Sequence, residues 1–302
     1  QAKKCFHYSE FIARYIIKDE KMTAPVISFI NMKGGVGKTT LCVGIAEFLA
    51  NYMGHRVLVI DIDPQFNATQ SLMGHYDRVE EYMTALRPNN QTIRKIFELP
   101  NSLMEDEKKA TPEQVITKVS DNLDIILGDI NIIFDTNQEG IRIKMLRKFI
   151  NENDLKESYD YIFIDSPPTI SLFTDTALLA SDYYLTPVKI DHYSVLGASS
   201  LNSVIRNMRT HHEKEIKQVG YIYTNTDAEM TNKTREIKEQ FESHTQFTNL
   251  YFFENQLTYV RDLMVGYQGN IPSCYSKSRQ DIENICNEFI SRVAHLEGDT
   301  NE

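Results

Sequence analysis

One stretch decides the fold of this chain: Asn31-Met32-Lys33-Gly34-Gly35-Val36-Gly37-Lys38-Thr39-Thr40. It follows the apolar run Val26–Ile30 and precedes an apolar pattern with helical spacing, Leu41–Leu49. A strand, a glycine-rich turn and a helix in this order are the context of a phosphate-binding loop. The glycines let backbone N–H groups approach a polyphosphate, and the N-terminus of the next helix adds the positive end of its dipole. The stretch therefore predicts a nucleotide site.

The residue types within this loop predict separate roles. Lys38 is expected to neutralise the β- and γ-phosphates, and the Thr39 hydroxyl is expected to bind Mg²⁺. A standard loop has glycine at the position of Met32, and the second lysine, Lys33, is an addition to that pattern. The nucleotide-binding residues that the loop predicts are Gly34, Gly35, Val36, Gly37, Lys38, Thr39 and Thr40.

Composition places the chain among ordinary globular proteins. Its 302 residues are 41% hydrophobic and 25% charged, enough for one large α/β domain or two small ones. No apolar run approaches roughly 18 residues, and the N-terminus lacks the apolar stretch of a secretory signal, so we expect a cytoplasmic protein. The four cysteines form no C-x-x-C pair, which disfavours zinc ribbons and iron–sulfur clusters. The net charge of −10 leaves local DNA binding open.

Apolar runs alternate with helical patterns along the rest of the chain. The predicted strands after the loop are Arg56–Asp61, Leu123–Leu127, Tyr159–Asp165, Asp182–Val188, Gln218–Thr224 and Asn249–Phe253. The predicted helices are Thr39–Met53, Asn137–Glu152, Phe173–Ala180, Ser194–His212, Thr231–Ser243 and Lys277–Ala294. Strands that are apolar on both faces and alternate with helices predict an α/β fold with a doubly wound, mostly parallel sheet.

Two segments lie outside this alternation. Residues 1–24 predict an amphipathic N-terminal helical extension that packs on the sheet domain or docks a partner. Residues 76–120 are polar and rich in turn residues, which predicts a helical or irregular insertion. We therefore predict the extension at 1–24 and a single P-loop ATPase domain over 25–302, with the insertion near 76–120.

Acidic residues end two of the predicted strands. Asp165 follows four apolar residues and is either a ligand of Mg²⁺, often through water, or a buried cap of the next helix. Asp61 and Asp63 end the strand after the loop helix and share one face of an extended chain. One of the two can act on the Mg²⁺ shell while the other orients an attacking water. Together with the loop, these carboxylates predict hydrolysis of ATP with Mg²⁺.

Three segments together resemble the ParA family of DNA-partition ATPases, which are P-loop NTPases of the deviant Walker A type. They are Lys33–Thr40, Asp61-Ile62-Asp63-Pro64-Gln65-Phe66-Asn67-Ala68-Thr69 and Asp165-Ser166-Pro167-Pro168. The resemblance covers about residues 25–295, and Lys33 combined with the second segment is its most specific part. The abundant Lys, Asn, Ile and Tyr, and the lack of an N-terminal helix-turn-helix, are similar to delta-type plasmid partition proteins of Gram-positive bacteria.

The resemblance implies a role for each matching residue. Lys33 is the signature lysine that reaches across a dimer interface to the partner's nucleotide, and Asn225 matches the residue that contacts adenine. The implied catalytic residues are Lys33, Lys38 and Asp63, of which Asp63 positions the water. The implied metal-site residues are Thr39, Asp61 near the metal and Asp165 in its outer shell. Two ATP molecules held face to face gather negative charge that a lysine from each subunit offsets, so ATP joins a homodimer and hydrolysis releases it.

The implied function is a slow, partner-stimulated ATPase switch that binds DNA non-specifically. It drives plasmid partition with a centromere-binding, ParB-like adaptor, and it is associated with the nucleoid. The alternative is a positioning ATPase of the same family that acts on other cargo or on the membrane. The acidic final segment, Ser291–Glu302, lacks a basic apolar stripe, which disfavours membrane binding. A metabolic P-loop kinase needs an acceptor pocket, of which the sequence gives no sign.

The chain departs from the family pattern at two places. Phe66 stands where the family has glycine, and Glu254 lies where many members carry a DNA-contacting arginine after a proline. DNA contacts are therefore assigned to other basic residues, each of which is alternatively a solvated surface charge. They are Lys233, Arg235, Lys238, Arg261, Lys277 and Arg279.

Overall fold

A sheet of eight strands runs through the part of the chain that the structure describes. The computed structural model describes residues 23–99, 109–134, 139–247, 249–266 and 269–298. The strands are β1 (Val26–Phe29), β2 (Val57–Asp61), β3 (Ile116–Lys118), β4 (Leu123–Ile126), β5 (Tyr161–Asp165), β6 (Tyr183–Val188), β7 (Lys217–Thr226) and β8 (Leu257–Thr258). Their order across the sheet is β3-β4-β2-β5-β1-β6-β7-β8.

The sheet is parallel except at one edge, where β3 runs antiparallel to β4. Strand β1 lies between β5 and β6, so the chain first builds the sheet on one side of β1 and later on the other. A crevice forms at the carboxyl ends of the strands where the direction of winding reverses, and ligands bind there in open α/β sheets. The predicted doubly wound, mostly parallel α/β fold is confirmed.

Helices cover both faces of this sheet. They are α1 (Lys38–Met53), α2 (Asn67–His75), α3 (Val79–Glu81), α4 (Pro112–Val115), α5 (Glu139–Arg142), α6 (Met145–Glu152), α7 (Leu155–Ser158), α8 (Leu172–Ala180), α9 (Ser194–His212), α10 (Asn232–Glu242), α11 (Arg261–Val265) and α12 (Ser276–Gly298). Helix α1 ends at Gly54, whose φ of 77° and N–H bond to the Leu49 carbonyl form a left-handed C-cap. Within the described residues, none of these helices has the length and apolar character needed to cross a bilayer.

The central strand β1 carries buried apolar side chains on both of its faces. Ile27 and Phe29 of β1 belong to the core that α1 and α12 cover, while Val26 belongs to the core on the opposite face, under α8. Burying one such side chain contributes roughly 1.5–3 kcal/mol. Core packing therefore holds both faces of β1 in place, and the loop that follows begins at a rigid strand.

Two of the predicted elements were wrong. The predicted strand Asn249–Phe253 contributes only an isolated bridge between Phe252 and Tyr221, and the edge strand is β8 instead. The predicted helix over residues 137–152 is broken between α5 and α6, where the buried Arg142 donates to the carbonyl of Phe97. That contact is a tertiary interaction, which helical periodicity along the chain cannot reveal.

The predicted division of the chain into an N-terminal extension and one domain with an insertion stays a prediction. All but residues 23 and 24 of the N-terminal extension lie outside the described residues. The described parts of 76–120 contain short helical turns, among them Tyr82–Leu86 and Ile93–Phe97, followed by α4 and the edge strand β3. Strand β3 is an element that the expected helical or irregular insertion did not include.

Candidate functional site

The loop between β1 and α1 takes the shape that its glycines allow. Gly35 has φ of 66° and Gly37 has φ of 80°, in the left-handed region that favours glycine. Gly37 also packs closely, since a Cβ atom there would lie 3.5 Å from Cβ of Thr224. Gly34 and Gly35 are exposed and have open space around them. The turn therefore leaves its outer surface clear for a ligand.

Hydrogen bonds from neighbouring strands hold this loop in place. The Asn31 amide donates to the carbonyl of Pro187 on β6 at 2.8 Å, and Asn31 Oδ1 accepts from the Lys33 N–H at 2.9 Å. The Thr224 hydroxyl on β7 donates to the carbonyl of Val36. The loop is thus fastened to β6 and β7 before any ligand binds.

Lys38 begins α1 and turns its side chain into the site. Only 7% of the residue is exposed, and its Nζ lies 3.5 Å from the carbonyl oxygen of Lys33. Burial lowers the pKa of Lys38, while the negative charges of Asp165 and Asp63 act in the opposite direction. A buried cation under the glycine turn is suited to charge-assisted bonds with phosphate oxygens.

Thr39 and Asp165 are brought together as predicted for a metal site, although their roles stay predictions. The Thr39 hydroxyl donates to Oδ2 of Asp165 at 2.8 Å, because β5 lies next to β1 and ends level with Phe29. Burial raises the pKa of Asp165 to about 7 against the effect of the Thr39 bond, and the charge of Asp63 adds to the rise.

Asp61 lies opposite Asp165 on the adjacent strand and is fully buried. Its Oδ2 accepts from the Thr69 N–H at 2.7 Å and from the Thr69 hydroxyl at 2.8 Å. Gly128 packs directly against Asp61, since a Cβ atom on Gly128 would lie 2.9 Å from Cγ of Asp61. Burial raises the pKa of Asp61, and the charge of Asp165 adds to the rise. Thr69 and Gly128 are positioning residues to which sequence reasoning assigned no role.

Asp63 lies just past the end of β2, near Lys38. Its Oδ1 accepts from the Gln65 N–H at 2.9 Å, and the residue is 6% exposed. Burial raises the pKa of Asp63, while the Gln65 hydrogen bond and the Lys38 charge lower it. The structure thus brings Asp63 next to Lys38, whereas its predicted role in orienting a water stays a prediction.

The site fits a nucleotide with Mg²⁺. Oδ1 of Asp61 and Oδ1 of Asp165 are buried and have no hydrogen-bond partner within the described ranges. Such atoms are normally paired, so both are suited to accept from metal-bound water. The described residues contain no group of three or more His, Cys, Asp or Glu side chains that could hold a metal by themselves. Mg²⁺ matches this arrangement, because it keeps several waters and takes few protein ligands beside phosphates.

Lys33, the lysine that a standard loop lacks, forms its contacts outside this buried site. Lys33 forms an ion pair with Asp191, and its Nζ lies 5.7 Å from the centre of the Tyr193 ring. Both side chains of the pair are about one third exposed, at 30% and 33%. Burial acts to raise the pKa of Asp191, but hydrogen bonds from Lys33 and the Tyr193 N–H bring it below its usual range. The two lysines of the loop therefore face different surroundings.

Asn225 lies at the carboxyl end of β7, beside the loop. Its Nδ2 would be 3.7 Å from a Cβ atom on Gly37. The residue has φ of 53°, in the left-handed region, and is half-buried. The structure thus brings Asn225 next to the loop, whereas its predicted contact with adenine stays a prediction.

Phe66 has a backbone conformation that favours glycine. Its φ of 44° and ψ of 39° are left-handed, a conformation that costs a residue with a side chain roughly 1–2 kcal/mol. The ring centre lies 6.0 Å from that of Tyr82 and packs at the edge of the core. Aromatic packing therefore offsets part of the strain at this position.

Comparisons with known proteins support these observations. A family model described as an AAA domain matches residues 24–218. The chain is 31% identical to the sporulation initiation inhibitor protein Soj of Bacillus subtilis, over 71% of this chain and 78% of that protein. It is 29% identical to the chromosome partitioning protein ParA of Myxococcus xanthus, over 67% of this chain and 65% of that protein.

Solved structures share the fold. A plasmid partition protein from Borrelia burgdorferi B31, bound to AMPPNP, has a TM-score of 0.69 at 21% identity, over 89% of this chain and 99% of that one. An ATP complex of McdA from Cyanothece has a TM-score of 0.72 at 15% identity, over 90% of this chain and 97% of that one. At these identities the likeness concerns the fold, not the activity.

Proposed function

Because this chain belongs to the ParA family of partition ATPases, which hydrolyse ATP with Mg²⁺, we propose that it is an ATP-dependent dimerising switch. The switch binds DNA without sequence specificity and moves plasmid DNA with a centromere-binding, ParB-like adaptor. Nucleoid association follows from its binding to DNA. The relatives named for chromosome and plasmid partition support this choice of cargo.

The position of Lys33 carries the proposal of a dimer. Lys38 already supplies a buried cation to the loop, whereas Lys33 lies at the surface in a partly exposed ion pair. A cation that the chain's own site does not need is available to a nucleotide held by a second copy. Exchange of an exposed pair for a phosphate costs little, because such pairs are worth about 0–1 kcal/mol.

Exposed apolar side chains at the same edge of the sheet as Lys33 support an interface there. Ile170, Tyr193 and Leu196 are 73%, 68% and 64% exposed, in the segments that follow β5 and β6. Several large exposed apolar side chains at one edge of a sheet favour a protein interface at that edge. A second copy that buries them brings its own loop towards Lys33, and we propose this as the interface of the nucleotide-bound homodimer.

Each residue of the buried site then has a proposed role. Lys38 and the loop residues 34–40 bind the phosphates, and Thr39 binds Mg²⁺ while Asp61 and Asp165 accept from its water shell. Asp63 orients the attacking water, and Asn225 contacts the base. Mg²⁺ supplies charge neutralisation on the phosphates when it is bound. Hydrolysis removes the group that joins the two subunits, so the dimer separates.

DNA contacts are proposed on the basic residues of α10, α11 and α12. Lys233, Arg261 and Lys277 are exposed and make no ion pair within the part of the chain described. Lys238 is paired with Glu242 at 3.7 Å, and Arg279 lies 4.6 Å from the centre of the Tyr52 ring. Scattered cations on a chain with net charge −10 predict weak, salt-sensitive contacts that become strong only when a dimer doubles them.

Binding to random-sequence duplex DNA with ATP, with ADP and without nucleotide tests the proposal. The samples are measured over a salt series, and sedimentation of the same samples reports their oligomeric state. We expect a dimer and strong DNA binding with ATP alone, with affinity falling steeply as salt rises. Equal DNA binding in all three nucleotide states would overturn the switch, and an ATP-bound dimer without affinity for DNA would overturn the partition function.

A double variant locates the DNA surface. Lys277→Ala/Arg279→Ala should weaken ATP-dependent binding and lower the slope of log affinity against log salt by about 1 for each phosphate contact removed. Lys109→Ala/Lys118→Ala removes the same charge at exposed positions near the β3 edge, and it should leave the slope unchanged. If the first variant binds like the parent, its two residues are solvated charges.

A further inference from the structure

We infer that Tyr259 is the platform on which the base of the bound nucleotide stacks, while the Asn225 amide reads the edge of that base. The inference rests on the proposed function, because it needs a nucleotide whose phosphates lie in the glycine loop. It adds Tyr259, to which no sequence motif assigns a role, as a residue that stacks on the base whichever purine the nucleotide carries.

A cleft of about 380 Å³ lies beside the loop and offers a place for the base. The cleft lies at the carboxyl ends of β6, β7 and β8, and Ile190, Asn225, Thr234 and Tyr259 are among its lining residues. Its volume is within the range of small-molecule sites. Asn225 also borders Gly37 of the loop. Asn225 therefore borders both the cleft and the loop, so a nucleotide with its phosphates on the loop can place its base in the cleft.

Tyr259 combines a fixed backbone with an uncovered ring. Its N–H donates to the Thr226 carbonyl at 2.8 Å, which extends the pairing of β8 with β7. The preceding N–H, of Thr258, donates to the Asp281 carboxylate of α12 at 2.9 Å. The tyrosine is nevertheless 47% exposed, and no other described residue stacks on its ring or bonds to its hydroxyl. A rigid, amphipathic ring with an open face is what base stacking requires.

Asn225 supplies the polar part of the same cleft. The preceding Thr224 donates to the carbonyl of Val36 and, at 3.2 Å, to that of Val188, so the end of β7 is tied to the loop. These bonds hold Asn225 in its left-handed conformation, and backbone strain maintained by its surroundings is typical of ligand-binding positions. An amide offers a donor and an acceptor side by side, which pair with the exocyclic amine and a ring nitrogen of adenine.

The two residues should have separable effects. Stacking depends on the flat face that every base has, so Tyr259 is expected to contribute to ATP and GTP binding alike. Hydrogen bonding depends on the edge, so the preference for ATP over GTP is expected to depend on Asn225. Asn225→Gly removes the amide and suits the left-handed backbone, which makes it the appropriate test at that position.

Calorimetric titration of the full chain with ATP, GTP and inorganic tripolyphosphate, each with Mg²⁺, provides the first test. Tyr259→Ala should weaken ATP and GTP binding by roughly 5- to 150-fold, and Tyr259→Phe should stay within about twofold of the parent. Tripolyphosphate has no base, so its affinity should be the same in all three proteins. Asn225→Gly should reduce the ratio of ATP to GTP affinity.

Tryptophan fluorescence provides the second test, because the chain contains no tryptophan of its own. Tyr259→Trp places one indole in the cleft, and its emission should be quenched as ATP saturates the site but not as tripolyphosphate does. Tyr52→Trp is the control, since Tyr52 lies 14 residues after Lys38 on α1, about 21 Å along the helix. Its emission should not change with either ligand.

The outcomes separate this inference from the proposed function. If tripolyphosphate and ATP both fail to bind the parent, the nucleotide site itself is wrong. If ATP binds the parent and Tyr259→Ala equally, and Tyr259→Trp emission is unchanged at saturation, the stacking role is overturned while the nucleotide site stands. If Asn225→Gly keeps the parent's preference for ATP, the amide does not read the base.

Discussion

The two sides of the loop are built by different means. On the buried side, formed by β1, β2 and β5, Asp61 and Asp165 are fully enclosed and each accepts a threonine hydroxyl. On the exposed side, formed by β6, β7 and β8, Lys33 and Asp191 pair at the surface and Tyr259 has an open ring. Buried hydrogen-bonded groups keep one geometry, whereas exposed pairs exchange partners at low cost. We therefore place the chemistry on the buried side and recognition of the partner and the base on the exposed side.

Removing the carboxylate that we propose orients the water should have the largest effect. Asp63→Ala is expected to lower the steady-state rate of ATP hydrolysis roughly 10²- to 10⁴-fold, because positioned general-base groups contribute about that much. ATP should still bind and join two subunits, so the variant should stay dimeric for longer than the parent. Phosphate release and sedimentation are measured together. Hydrolysis at the parent's rate would move the role to another residue.

Removal of the buried lysine should have the next largest effect. Lys38→Ala takes away the cation beside Asp165 and Asp63, so repulsion between these carboxylates and the phosphates is no longer offset. ATP affinity should fall roughly 30- to 1,000-fold, measured with a fluorescent ATP analogue. Lys33→Ala is the matched control, and its monomer should bind ATP within about threefold of the parent. Equal losses of ATP affinity in the two variants would contradict the proposed difference between the buried side and the exposed side.

Stability should also differ between the two sides. Thr69→Val removes the hydroxyl that donates to Asp61 and accepts from the Gly128 N–H at 2.7 Å. The buried Gly128 N–H is then unpaired and Asp61 keeps only the bond from the backbone N–H of residue 69, so the free energy of unfolding should fall by about 1–3 kcal/mol in urea titrations without nucleotide. Thr84→Val removes an exposed hydroxyl bond to the Glu80 carbonyl and should change it by less than about 0.5 kcal/mol. Similar values for both variants would mean that the buried pair is not preorganised.

The smallest effect is expected at the exposed pair. Asp191→Asn should change the free energy of unfolding by less than about 1 kcal/mol at neutral pH. The folded-state pKa of Asp191 lies below its usual range, so its contribution is present above the unfolded pKa and is lost as pH falls through the folded pKa. The difference between variant and parent should therefore vanish in acid. A loss above about 2 kcal/mol at neutral pH would show that this side is as rigid as the other.

The buried side could be predicted from sequence because its residues lie in short motifs at strand ends. The family, the parallel fold, the ATPase activity and the use of ATP with Mg²⁺ are confirmed. The roles of Lys38, Asp63 and Asp165 stay predictions, as does the delta-type relationship. Their placement together still followed from one rule, that the carboxyl ends of parallel strands meet at the same edge.

The exposed side could not be predicted in the same way. Asp191 and Tyr259 come from segments 68 residues apart in the chain, and the edge strand that positions Tyr259 is only two residues long. A strand of that length has no periodicity to recognise, and the sequence pattern predicts the edge strand at residues 249–253 instead. Strand β3 has only three residues and was missed for the same reason. The break at Arg142 was missed because it depends on a contact with Phe97, which is distant in sequence.

Sedimentation of Lys33→Gln with ATP tests the central claim most directly. The claim is that the lysine of the exposed side serves the partner's nucleotide and not the chain's own. We predict that the parent is a dimer with ATP and a monomer with ADP, while Lys33→Gln binds ATP with nearly the parent's affinity and stays monomeric. A Lys33→Gln protein that forms the dimer as readily as the parent, or that loses ATP as Lys38→Ala does, would contradict the claim.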